Sequence, residues 1–243
     1  MAALPNKNSE QSKKDQVEEM FDNISARYDL LNHLLSANID KLWRRNTIKK
    51  LKSHHPKLIL DIATGTGDFA IAATKIKESS VVGIDISEGM LEVGRRKILK
   101  KKLTDRIELI KADSEDLPFE NNNFDAVIVG FGVRNFETLK KGLAEIERVL
   151  KPGGVFYVLE FSKPVKSPFK QMYQFYFTRI LPLIGRMVSK DSRAYTYLPE
   201  SVKEFPDGDK FLTILAEVGF VKNKCFSQTF GIASIYEAHK KEN

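Results

Sequence analysis

The chain has 243 residues, 42% apolar and 29% charged, with a formal net charge of +7 and an isoelectric point of about 9.3. That balance excludes a disordered or bilayer-embedded class, and a chain of this length buries roughly 70–75% of its unfolded surface without staples. Cys225, the one cysteine, excludes an internal disulfide and a thiolate-cluster zinc site.

Residues 1–16 read as a flexible start, polar where a secretory signal would be apolar and lacking the arginines of a transit peptide. Val17, Met20, Phe21, Ile24, Tyr28, Leu31 and Leu35 recur at helical spacing, so one or two helices are expected there. A further helix carries Trp43, Ile48 and Leu51 before the break HHP at 54–56, and residues 17–53 form a helical preamble. The pattern then alternates. LILDIA is a buried strand, followed by a glycine turn and a helix from about Asp68 to Lys77. VVGIDI is the second strand, with its helix beginning near Ser87; IELIKAD is the third. FDAVIVGF is the fourth, followed by a helix at LKKGLAEIERVL, the turn KPGG and the fifth strand VFYVLEF.

Strands alternating with helices predict an α/β fold with a mostly parallel sheet. Residues 167–200 break the rhythm as an aromatic, proline-punctuated insertion. DKFLTILAEVGF is a last helix, and KNKCFSQTF and GIASIYEAHK are two final strands joined at Gly231. The whole of 17–243 reads as one domain.

The densest basic run, Arg95 to Lys97 and Lys100 to Lys102, lies in a helical stretch and reads as a solvated face. No nucleic-acid recognition pattern accompanies it, so no nucleic-acid partner is expected. The same surplus of charge suits anionic lipid.

LDIATGTGDFA sets Gly65 and Gly67 directly after a strand and before a helix, where backbone can approach a ligand closely. A plain tight turn and a dinucleotide-binding turn share that signature. Three carboxylates narrow it. Asp85 ends the second strand, where an acid accepts hydrogen bonds from a ribose diol; Asp113 ends the third, within reach of an adenine edge. Asp61 ends the first, where it meets a cationic or amino group, while Asp68 reads as a helix N-cap. For a ligand with ribose, adenine and a cationic amino-acid end, and no pyrophosphate, S-adenosylmethionine matches better than NAD.

With these residues in place, the chain resembles the class I S-adenosylmethionine-dependent methyltransferases. Within them it is similar to the quinone-biosynthesis C-methyltransferases that act on demethylmenaquinone and polyprenyl-methoxybenzoquinol. MFDNISARYDLLN, LWRR, DIATGTGDFA, GIDISEGML, ADSEDLPF, GFGVRNF, RVLKPGG, LEFSKP and AYTYLPESVKEFP carry the resemblance from residue 20 to 206 in family order. The chain departs from the pattern at Asn38, in a glycine position that asparagine also fills in a left-handed turn, and at Gly130, where many relatives have serine.

The resemblance implies a Rossmann-like class I methyltransferase fold, with a seven-stranded, mostly parallel sheet and helices on both faces. It implies S-adenosylmethionine contacts from Gly65, Thr66, Gly67, Asp85, Asp113, Ser114 and Gly130. It also implies methyl transfer to a ring carbon of a reduced polyprenyl quinol: demethylmenaquinol first, the ubiquinone-pathway benzoquinol second.

Ring methylation needs a stabilised phenolate. Arg134, just past the fourth strand, supplies a fixed cationic fork unless it merely pairs with Glu137 or Glu160. Asn135 orients a hydroxyl or holds the arginine. Gly130 and Gly132 make room for the cofactor's methyl end, and Phe131 walls it from water. Tyr28, Tyr195, Tyr197, Asp40 and His33 are the candidates to take the proton, beside a water held by Arg134. Phe169, Met172, Tyr173, Phe175, Tyr176, Ile180 and Leu183 form a lid, a membrane patch or plain core in the insertion. The expected setting is cytoplasmic, peripheral on the inner face of the cell membrane, with an oligomer left open.

Competing readings remain at this point. An NAD-linked oxidoreductase lacks its Tyr-x-x-x-Lys constellation here, and a nucleic-acid methyltransferase lacks its N-P-P-Y motif. A non-catalytic partner would have no need of Thr66, Asp85 and Asp113 together.

Overall fold

The computed structural model describes residues 3–36, 38–176, 179 and 193–242. Ile180 and Leu183 fall outside the described residues, as do the side chains of His33 and Tyr195.

Seven strands form one sheet: β1 (Leu58–Ile62), β2 (Ser80–Asp85), β3 (Ile107–Lys111), β4 (Phe124–Gly130), β5 (Leu150–Phe161), β6 (Val221–Gln228) and β7 (Ala233–His239). Their order is β3-β2-β1-β4-β5-β7-β6. The first five run parallel, and β7 is antiparallel to both β5 and β6. The strand order reverses between β1 and β4, so a crevice opens at their carboxyl ends, where an open α/β sheet binds its ligand.

Alternate residues of each strand feed two cores. Ile59, Ile128, Val155, Tyr157 and Leu159 pack against α2 (Ile39–Leu51), α3 (Asp68–Ala73) and α4 (Glu88–Lys100). Leu60, Ile62, Val127, Val129 and Phe156 pack on the other face against α5 (Leu139–Val149) and the helix Asp209–Val218. Each layer is closed by local chemistry. Ser87 caps α4 by accepting from the Met90 N–H at 3.1 Å, and Gly219 takes φ 117° to end the Asp209–Val218 helix.

Two helix boundaries differ from those expected. The first helix, α1 (Lys13–Leu35), is continuous and begins four residues early. The segment before it, expected to be flexible, buries Ala3 and ties the Asn6 N–H to Gln16. α3 stops at Ala73 instead of running to Lys77: Thr74 bonds its hydroxyl back to the Ile71 carbonyl, and Glu78 adopts φ 62°. In the insertion, α6 (Phe169–Phe175) and α7 (Arg193–Glu204) are the described helices, which makes Asp209–Val218 helix α8. Asn38 has φ 61°, the left-handed turn expected of it.

Candidate active site

The glycine turn lies between β1 and α3, with Gly65 at φ 56° and Gly67 at φ 78°, conformations that cost other residues dearly. Its Gly65 N–H donates to Asp85 at 2.8 Å, and the Ser87 N–H donates to the second Asp85 oxygen at 2.9 Å. These bonds aim the Asp85 carboxylate from the end of β2 into a small pocket shared with Gly65, Asp113, Ser114, Gly130 and Asn135. Burial pushes the Asp85 pKa up to about 6, and the backbone donors only partly offset it. Asp113 accepts from the Glu115 N–H at 2.8 Å and from Lys14 of α1 at 3.1 Å.

A second, smaller pocket adjoins the first, lined by Asp61, Thr64, Thr66, Asp68, Arg44 and Gly130. Asp61 is fully buried and accepts from the Thr64 hydroxyl at 2.6 Å through one oxygen. The other oxygen has no hydrogen-bond partner among the described residues. Burial raises this carboxyl to about 7, with the Thr64 hydrogen bond opposing. An orphaned buried acceptor facing a pocket calls for a donor from a ligand or water. The ammonium of an amino-acid ligand would be such a donor, so the residues fit S-adenosylmethionine, with Asp61 placed to meet the ammonium, Asp85 the ribose, and Asp113 and Ser114 the base.

Thr66 is held by α1. Its hydroxyl donates to Asp29 at 2.5 Å and accepts from Lys97 at 3.0 Å. Asp68 does not cap α3. It pairs with Lys97 at 2.5 Å and Arg44 at 3.5 Å, while Gly67 occupies the cap position. Asp22 extends the same clasp, accepting from Ser87 at 2.6 Å and from the Gly89 N–H at 2.9 Å. Nothing in the spacing of Asp22, Asp29 or Lys14 signalled these roles, because their partners lie 65 to 99 residues away, or 37 for Asp29 and Thr66.

Beyond the crevice lies an apolar cavity of about 340 Å³, within the size range of roughly 300–1,000 Å³ typical of ligand sites. Met20, Ile24 and Tyr28 of α1, Trp43 of α2, Phe161 of β5, and Phe169, Met172 and Tyr173 of α6 form its walls, with Ala194, Tyr197 and Leu198 from α7. Tyr28 and Phe131 line this cavity and both cofactor pockets, so they stand at the junction. Phe131 is nearly buried at φ 58°, an outlier for an aromatic residue and of the kind concentrated at functional sites.

The glycines flanking Phe131 line the crevice and also admit close protein neighbours. A Cβ at position 130 would stand 2.8 Å from the Phe69 ring, and one at 132 would stand 2.6 Å from the Ala63 methyl.

Arg134 reaches the large cavity and is also paired. Its guanidinium bonds Glu160 at 2.9 Å and the Phe131 carbonyl. Glu160 is fully buried; burial raises its pKa and the Arg134 charge opposes that shift. The Arg134 Nε is buried with no partner among the described residues. Asn135 accepts from the Tyr197 hydroxyl at 3.1 Å, so it orients a cavity tyrosine. Burial pushes the Tyr28 pKa up to about 12, so its hydroxyl is a donor at neutral pH.

A parallel sheet with this strand order, a glycine turn and three carboxylates at one crevice define a Rossmann-like methyltransferase fold that takes S-adenosylmethionine. Solved structures share it at low identity. A methyltransferase of Thermotoga maritima, described as a possible histamine N-methyltransferase, aligns with a TM-score of 0.65 at 18% identity over 92% of this chain and 99% of its own. The [4+2]-cyclase SpnF aligns with a TM-score of 0.67 at 15% identity over 100% of both chains. The fold therefore does not by itself decide the reaction.

Sequence decides the family. Residues 9–240 match the model of the ubiE/COQ5 methyltransferase family, and the chain belongs to it. A demethylmenaquinone methyltransferase of Bacteroides fragilis is 47% identical over 229 residues, 94% of each chain. A ubiquinone/menaquinone biosynthesis C-methyltransferase of Geotalea daltonii is 46% identical over 230 residues, 94% of this chain and 97% of its own.

Proposed function

We propose that the protein transfers the methyl group of S-adenosylmethionine to a ring carbon of a reduced polyprenyl quinol, demethylmenaquinol in the first instance. One observation carries this reading: an apolar cavity opens onto the cofactor pockets at Tyr28 and Phe131, and Arg134 brings its one cation to it among the described lining residues. The names of the relatives in Bacteroides and Geotalea support the acceptor class.

Bound cofactor supplies the electrophilic methyl on a sulfonium, and the chain's own residues must hold the acceptor in line with it. Arg134, on the cavity wall, sets its guanidinium charge toward the quinol oxygen, where negative charge grows as the ring becomes a carbon nucleophile. Glu160 fixes the guanidinium, and its charge compensates that of the arginine, so Arg134 acts as a placed donor in a site of near-zero net charge. Tyr28, protonated at neutral pH, is a second donor at the junction. No carboxylate or imidazole is among the described residues lining the large cavity, and a water held by Arg134 is the acceptor we assign to the quinol proton. Phe131 and Trp43, 6.1 Å apart between ring centroids, screen the junction from solvent.

The test mixes labelled S-adenosylmethionine with reduced short-chain demethylmenaquinol, and with the methoxybenzoquinol in parallel. Label in the naphthoquinol alone is expected. Label in both makes the enzyme common to two pathways, and label in neither, with cofactor binding intact, rejects the acceptor class.

A polyprenyl substrate resides in lipid. No helix among the described residues is long and apolar enough to cross a membrane. Met172, Phe175 and Phe230 are each more than 60% exposed beside the cavity wall, with Phe230 stacked on Phe169 at 3.9 Å. With the net charge of +7, these side chains fit reversible contact with an anionic membrane surface. Co-sedimentation with anionic vesicles tests this, and absence of binding at low salt rejects it.

A further inference from the structure

The opposite end of the sheet carries a cluster that methyl transfer does not use. Glu237 and His239 lie two residues apart on β7, so their side chains share one face. Tyr157 of β5 stands directly across from Glu237. The short 3-10 turn Lys52–His54, which follows α2, brings His54 against the same face. His54 and His239 meet edge to face with ring centroids 5.4 Å apart.

One ligand-type atom from each of His54, Glu237 and His239 lies within 4.8 Å of the other two. Glu237 Oε1 is 3.4 Å from His239 Nε2, close to the separation of about 3.3 Å that two ligands take around a tetrahedral ion with bonds of about 2.0–2.1 Å. Tyr157 donates its hydroxyl to the other Glu237 oxygen at 2.8 Å, which fixes the carboxylate from behind. A hydrogen bond to a ligating carboxylate is the usual outer support of a metal site. His54 is exposed and can rotate to complete the set, leaving a fourth position open to water. Lys224 approaches Glu237 at 3.8 Å, but its side chain is 61% exposed and withdraws readily to solvent.

We propose that His54, Glu237 and His239 form a binding site for a divalent transition metal of the zinc type. Two imidazoles and one carboxylate suit zinc, cobalt or nickel better than calcium or magnesium, which prefer oxygen alone. His239 pairs with Val155, five residues before Glu160 on β5, so the site lies about 16 Å along the strand from the crevice. Its role is structural: the metal joins the end of the preamble, just ahead of β1, to the last strand.

The test uses the full chain without a histidine tag. Cobalt titrated into the apo-protein is followed by its visible absorption, then displaced with zinc, and thermal unfolding is compared with and without zinc. One equivalent of cobalt, a tetrahedral spectrum and a zinc-raised midpoint are expected. His54→Asn, at an exposed position, should weaken binding at least about tenfold; Tyr157→Phe, which removes the hydroxyl that supports Glu237 and also meets His54 Nε2 at 3.2 Å, should cost about tenfold. Methyl transfer should be unchanged in His54→Asn. Equal cobalt uptake by the wild type and His54→Asn, or no stoichiometric uptake by the wild type, overturns the proposal.

Discussion

The cofactor crevice and the apolar cavity touch at Tyr28 and Phe131 and are built by opposite means. In the crevice, short loops at strand ends place buried carboxylates, and backbone N–H groups hold them; Asp85 receives both of its bonds from Gly65 and Ser87 within the same βα layer. In the cavity, side chains from α1, α2, α6, α7 and β5 converge, and the polar groups are few and individually placed. The first design suits one ligand with several polar ends. The second suits a greasy ring and tail oriented by one or two donors.

The largest effect expected from separating the two regions is at Arg134. Arg134→Met should lower kcat by about 10²–10³ while leaving the cofactor dissociation constant nearly unchanged. Because it strands the buried Glu160, the double variant Arg134→Met/Glu160→Gln should show the same kcat loss with stability largely restored. Equal losses of cofactor affinity and turnover would place Arg134 in the crevice instead.

Asp61 tests the crevice. Its folded-state pKa is raised from 3.8 to about 7, so in the free protein its contribution to stability is present below pH 3.8 and is lost as pH rises through about 7. A bound ammonium favours the ionised form, so cofactor affinity should climb as pH rises through about 7. Asp61→Asn should weaken cofactor binding about tenfold or more and leave only the lower rise, near pH 6, that comes from Asp85. Calorimetric titration across that range reads both effects.

The smallest effect belongs to the clasp of α1. Lys14 is 44% exposed where it meets Asp113, so Lys14→Ala should change cofactor affinity by only about twofold, and the difference should vanish at high salt. A larger, salt-independent loss would make Lys14 a direct cofactor ligand.

How far the sequence could be read follows the same division. The β1 turn, Asp85 and Asp113 were readable because glycines, acids and strand ends lie within a few residues of one another. The helical preamble was readable from its periodicity, yet its function was not. That Asp29 would hold Thr66, or that Trp43 would donate to Thr229 across 186 residues, depends on how distant elements dock. Asp68 looked like a helix cap because an acid at a helix start usually is one; here two cations, Lys97 and Arg44, compete for it. Arg134 offered two readings, cavity donor or partner of Glu160; the structure pairs it with Glu160 and sets it on the cavity wall. That Phe69 and Ala63 crowd Gly130 and Gly132 also required the folded chain, since both come from other elements.

The central claim is that the cavity behind Phe131 receives the quinol. Ala194→Trp tests it most directly, since Ala194 lines that cavity and neither cofactor pocket. Methyl transfer from labelled S-adenosylmethionine to short-chain demethylmenaquinol would be measured beside the cofactor dissociation constant. An indole filling the cavity should cut transfer more than about tenfold, chiefly through KM for the quinol, with cofactor affinity unchanged. Undiminished transfer by the folded variant would contradict the account and put the acceptor elsewhere.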